Sequence, residues 1–121
     1  YRKAAEQGNA FGQLKLGIMR LVGQGVPKDD KEAAKLIRKA ADQGNAMGQF
    51  ALGGMYSEGR GVMEDNVTAY AWWNIAAVNG LANGNEAKDS AAKKMTAEQI
   101  AKAEALVKEM LKKNPKLIKK P

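Results

Sequence analysis

Two periodicities run through the chain. The shorter is helical. Beyond residue 96, Ile100, Ala103, Leu106, Val107, Met110 and Leu111 recur at helical spacing, which places them on one stripe and the charged positions on the opposite side. The longer period is 36 residues. Ala4-Ala5-Glu6-Gln7-Gly8-Asn9-Ala10 returns as Ala40-Ala41-Asp42-Gln43-Gly44-Asn45-Ala46, then as Ala76-Ala77 with Gly80 and Ala82. Leu16-Gly17 returns as Leu52-Gly53, and Gly23-x-Gly25-Val26 as Gly59-x-Gly61-Val62. Asp29 returns as Asp65, Ala33 as Ala69, and Leu36-Ile37 as Trp72-Trp73. A fixed period of this length marks one supersecondary unit stacked repeatedly on itself.

Each unit predicts a helix, a turn, a second helix and a second turn. Asn9 and Asn45 are placed to cap the first helices through their side-chain oxygens. Gly23 and Gly25, like Gly59 and Gly61, end those helices, because glycine enters left-handed backbone cheaply. Asp29 or Asp30, and Asp65 or Asn66, open the second helices, with Asp29 and Glu32 spaced as a capping box. Gly8, Gly44 and Gly80 close them. Glycine inside a helix costs about 1 kcal/mol relative to alanine. Its recurrence at Gly12, Gly17, Gly48, Gly53 and Gly54 therefore predicts close approach of neighbouring helices, as do Ala33, Ala40, Ala69 and Ala76.

The third unit breaks the pattern. Lys88 and Asp89 stand where Leu52 and Gly53 stand one unit earlier, and no Gly-x-Gly-Val follows. A polar outer helix is what closes a stack and keeps it soluble. Thr96 and Gln99 then form a capping box for a helix that Asn114-Pro115 ends. The organisation read from the sequence is a repeat array over 1–95 (partial repeat 1–9, repeats 10–45 and 46–81, terminal capping helix 82–95). A C-terminal helix over 96–112 and a basic tail over 113–121 follow. Tyr1 to Gln7 is a second helix lacking its partner, which predicts further repeats upstream and a true end downstream.

The segment from Ala46 to Gly80 resembles a full Sel1-like repeat, a relative of the tetratricopeptide repeat. The resemblance rests on Leu52, Gly53, Tyr56, Gly59, Gly61, Val62, Asp65, Ala69, Trp72 or Trp73, Ala76, Ala77 and Gly80. The preceding unit departs from it at Arg20, in the place of Tyr56, and at Leu36-Ile37, in the place of the tryptophans. The resemblance implies an all-α fold, a right-handed α/α superhelix (solenoid) of helix-turn-helix repeats with a C-terminal capping helix. It also implies a bacterial scaffold or adaptor that binds another protein or peptide. An extracytoplasmic location, periplasmic or secreted, is implied over a cytoplasmic one.

Composition narrows the chemistry. The 121 residues include no histidine and no cysteine, which removes the commonest general base, the commonest metal ligand and any thiol chemistry. Five of the seven net positive charges lie in residues 112–121, which hold no acid. A nucleic-acid or anionic-surface reading would rest on that lysine tail alone, without arginine forks or interleaved aromatics, and predicts only weak, salt-sensitive attraction. Ser90-x-x-Lys93 fits the nucleophile motif of penicillin-binding proteins and β-lactamases, so a hydrolase acting on cell-wall or β-lactam-type ligands is the alternative to weigh. Its companion Ser-Asp-Asn and Lys-Thr-Gly motifs are missing. The sequence therefore reads as no enzyme, with no cofactor, no metal and no membrane span.

A binding surface remains. First helices of successive units form rows, and residues seven apart on one helix share a face. That reasoning selects Gln13 and Arg20, their counterparts Gln49 and Tyr56 one unit later, and Glu58 as partner-facing residues. Of the paired tryptophans, one is expected to be buried and the other partly exposed.

Overall fold

The helices begin where short polar side chains can meet free backbone N–H groups. In this computed structural model, which describes residues 10–23 and 29–118, Gly48 donates to Asn45 Oδ1 at 2.7 Å and Glu32 donates to Asp29 Oδ1 at 3.1 Å. Val67 and Thr68 both donate to Asp65 Oδ1. Thr96 and Gln99 exchange reciprocal bonds, a complete capping box. The expected box at Asp29 is only half made, from the aspartate side. Gly23, Gly44, Gly59, Gly61 and Gly80 all take positive φ at the turns. The readings of Tyr1 to Gln7, Gly8, Asn9 and Gly25 lie outside the described residues.

Among the described residues six α-helices result: α1 (Ala10–Val22), α2 (Asp30–Asp42), α3 (Ala46–Glu58), α4 (Asn66–Val78), α5 (Ala82–Ala92) and α6 (Ala97–Lys113). A 3-10 turn follows over Pro115–Leu117. No strand occurs among the described residues. The helices form hairpins α1–α2 and α3–α4 that stack through α2 and α3, while α5 and α6 each pack on α4. Helix pairs stacked on their neighbours are the signature of a solenoid.

The 36-residue period reappears as repeated contacts. A β-carbon added to Gly17 would lie 2.6 Å from Ile37 Cγ1, and one added to Gly53 would lie 2.5 Å from Trp73 Nε1. Gly48 faces Ala40 Cβ at 3.1 Å, and Gly84 faces Ala76 Cβ at the same distance one unit later. Backbone bonds repeat too, Asp29 N to Arg20 O at 2.8 Å and Asp65 N to Tyr56 O at 2.9 Å. Around these contacts Ile37, Leu52 and Ile75 are fully buried with a bed of alanines. Between hairpins, Arg60 bonds Leu21 O and Asp30 Oδ1.

Gly54 departs from the packing expectation. A β-carbon there would meet nothing within 4 Å, because this residue faces away from the stack. Gly54→Ala should therefore raise stability by about 1 kcal/mol, the ordinary helix-propensity gain, measurable as a higher midpoint in urea.

The basic tail also needs correcting. Lys113 belongs to α6, and the chain beyond it returns to the array instead of running free. Leu117 is 2% exposed within the core cluster, with Ile118 packed beside it. Asn114 donates from Nδ2 to Asp42 O at 2.9 Å. Two aliphatic side chains among the lysines outweigh the solvation of the charges, because only their burial completes the end of the core. Residues 119–121 lie outside the described residues.

Asp42 closes α2 beside this returning segment. Burial raises its carboxyl above the usual value of 3.8, with Arg38 pulling the other way. A carboxyl whose folded pKa lies above its unfolded one weakens the fold once ionised. Asp42→Asn should therefore stabilise the chain at neutral pH, and the gain should fade as pH falls through the raised value and be lost below about 4, where the carboxyl is protonated folded or unfolded. Thermal melts of both chains from pH 3 to 7 read this directly.

Candidate functional site

The exposed face of the first helices follows from the helical wheel. On α3, Leu52, Gly53 and Met55 are buried and Ala51 packs against the core, which leaves Met47, Gly54 and Glu58 turned outward. The same phases on α1 hold Ile18 and Val22, 41% and 59% exposed, beside the exposed Lys15. On α5 they hold Asn83 and Ser90. A stripe thus crosses three helices, apolar at Ile18 and Val22 on α1, low at Gly54, and polar on α5.

This geometry redistributes the five residues selected from the sequence. Gln13 and Gln49 are 4% and 0% exposed, so neither meets an outside partner. Gln13 Oε1 accepts from Gln43 Nε2 at 2.8 Å. Gln49 Nε2 donates to Ala41 O at 3.0 Å and to Leu117 O at 2.8 Å, while its Oε1 accepts from Asn79 Nδ2 at 2.8 Å. Tyr56 is half-buried against the core, its hydroxyl accepting from the Arg38 guanidinium, whose carbon lies 5.7 Å from the ring centroid. Arg20, one unit earlier, is also half-buried, and its carbonyl accepts from Asp29. Residues seven apart do share a face, but the face shared by Gln49 and Tyr56 points into the stack. Only Glu58 lies on the outward stripe.

Where the stripe reaches α5, the stack opens. Gly84 still approaches α4 closely, within 2.9 Å of Trp73 O for an added β-carbon. Beyond it, Lys88 and Asp89 replace the Leu52-Gly53 pair of α3. A cleft of about 470 Å³ lies between α3, α4 and α5, lined by residues that include Ser57, Glu64, Trp73, Ala91, Lys94 and Met95.

The two tryptophans divide as the sequence predicts. Trp72 is 3% exposed in the core. Trp73 is half-exposed, its indole packed over Gly53 and its Nε1 donating to Phe50 O at 3.1 Å. The counterpart Ile37 is fully buried, since a complete hairpin covers it. Trp73 thus presents a rigid aromatic wall, with Met95, Ala87 and Ala91 as apolar neighbours and Glu64 and Lys94 of opposite charge on the lining. Ser90 also lines the cleft, but with Lys94 and not with the Lys93 of its motif. Among the described residues no cluster of three acids or other metal-ligating side chains occurs, and no helix is long and apolar enough to cross a membrane.

Sequence reasoning passed over Ser57, Glu64, Lys94 and Met95. The missing signal was available in part: Lys88-Asp89 announces that the repeat ends at α5, and Trp73 lines the cleft beside that helix.

Comparison with known proteins adds the following. A family described as the Sel1 repeat matches residues 1–9, 10–45 and 46–81. The crystal structure of a protective antigen present in uropathogenic Escherichia coli strains, displaying an SLR fold, is 41% identical over 96% of this chain, with a TM-score of 0.89. This chain spans 25% of that one. The crystal structure of a Sel1 repeat protein from Oxalobacter formigenes is 35% identical, with a TM-score of 0.72, covering 74% of this chain and 67% of the other. No curated protein sequence matches.

Proposed function

The chain belongs to the Sel1 repeat family, and from that premise we propose that it is a non-catalytic scaffold holding a segment of a partner protein along the outward stripe of its first helices. Sel1 repeats commonly mediate protein–protein interaction. The single observation that carries the reading here is the Trp73 cleft. An aromatic side chain fixed by its own N–H bond, beside small apolar residues and within a polar rim, is the composition of an interface anchor. An apolar side chain of the partner enters beside Trp73 and Met95, Glu64 and Lys94 orient the flanking polar groups, and Ile18, Val22 and the trough at Gly54 receive the rest.

Catalysis does not suit the same cleft. It offers two serines, Ser57 and Ser90, and the sequence holds no histidine or cysteine to serve as the usual base or thiol nucleophile.

The test is site-directed photo-crosslinking in the source cell. A crosslinking residue at Ala91 should capture a protein partner, and one at Glu109 on the far side of α6 should not. Ala91→Arg should weaken that partner by on the order of tenfold or more. Capture from Glu109 alone, or turnover of a small substrate with no partner at Ala91, would overturn the reading.

A further inference from the structure

The carboxamides of Gln49 and Asn79 converge on one point. Each NH2 group has two hydrogens. Gln49 directs one to Ala41 O and one to Leu117 O; Asn79 directs one to Gln49 Oε1 and one to Leu117 O, both at 2.8 Å. One hydrogen of each is thus spent inside the array, and the two left over grip a single main-chain carbonyl. The Gln13–Gln43 pair, 36 residues earlier, makes the same internal bond, so the pairing belongs to the repeat and the grip on Leu117 is an addition to it.

The gripped segment is lightly built. Its 3-10 turn carries its own bonds, Leu117 N to Asn114 O and Lys116 N to Asn114 Oδ1. Pro115 and Lys116 are exposed, and the segment's hold on the array is one buried leucine, its carbonyl, the half-buried Ile118 and the Asn114 amide on Asp42 O. It can leave without breaking a helix, the kind of local opening that proceeds far below the cost of global unfolding. The notch it would vacate holds two buried N–H donors and an apolar hole, and unmet buried donors are costly. The notch therefore selects a carbonyl next to a leucine-sized side chain.

We propose that this notch is a second peptide-docking site, separate from the Trp73 cleft, and that residues 114–118 are its resident and exchangeable ligand. The partner it fits is a protein segment of the same chemistry, a proline-opened turn presenting a leucine and its main-chain carbonyl. Recognition through a backbone carbonyl and one aliphatic side chain demands little else of the sequence, and the tethered resident keeps the site closed to weaker ligands by its high effective concentration.

The experiment uses the full chain and a fluorescent peptide spanning residues 112–118. Leu117→Asp ejects the resident, because a carboxylate is not tolerated in the leucine hole, and the peptide should bind this chain at least about tenfold tighter than wild type. Replacing the peptide's leucine by alanine, which keeps every charge, should abolish the gain, as should Asn79→Ala in the Leu117→Asp chain. Equal binding to wild type and variant, or binding indifferent to the leucine, overturns the proposal. Circular dichroism decides whether the variant folds, and Leu117→Ala provides a milder ejection. Loss of helix in both overturns it too, since a segment the fold cannot spare is not exchangeable.

Discussion

Gly53→Leu should lower the melting temperature by roughly 10 °C, equivalent to about 2 kcal/mol. Even the first carbon of the new side chain would stand 2.5 Å from Trp73 Nε1 and 2.6 Å from Cδ1. The indole cannot simply retreat, because its N–H is bonded to Phe50 O on the same helix as Gly53. Either that bond breaks or α3 and α4 part. Gly54→Leu is the matched control: the same insertion one residue later enters open space and should cost little. Thermal denaturation of both variants checks the pair, and equal melting temperatures would contradict the packing described.

Gln49→Leu should cost about 3 kcal/mol although it keeps the volume of the side chain nearly constant. The residue is fully buried, and its amide joins three other positions, Ala41, Asn79 and Leu117. Leucine leaves one Asn79 hydrogen without its acceptor, and takes one of two donors from Ala41 O and from Leu117 O. A buried unmet donor typically costs ~1–3 kcal/mol, and each lost bond about 1 kcal/mol more. Urea denaturation measures the loss, and hydrogen exchange should show the amides of residues 116 and 117 losing protection beyond the average. A near-neutral effect would mean that the amide network contributes nothing to holding the returning segment at Leu117.

The hairpins and their limits were legible because they rest on local chemistry. Asn45, Asp65 and the Thr96–Gln99 box cap where their spacing says they must, and the 36-residue return of Gly17 as Gly53 foretold a repeated close contact. The division between Trp72 and Trp73 followed from adjacency on a helix. What escaped was orientation. A period tells which residues share a face, not which neighbour that face meets, so Gln13, Gln49 and Tyr56 read as outward when they point into the stack. Gly54 read as a contact glycine for the same reason, although its neighbour Gly53 is one. The docking of Leu117 escaped because it depends on bonds across 68 residues to Gln49, and five lysines in the surrounding ten residues dominate the local composition. The cleft lay in between. Lys88 and Asp89 signalled the end of the stack, but its shape needed the positions of α4 and α5.

The most direct measurement is quenching of Trp73 fluorescence in the Trp72→Phe chain, where it is the remaining indole, with and without a saturating partner captured through Ala91. If the partner's side chain enters the cleft, access of iodide to the indole falls sharply and its emission moves to shorter wavelength. Unchanged quenching with the partner fully bound would contradict the account.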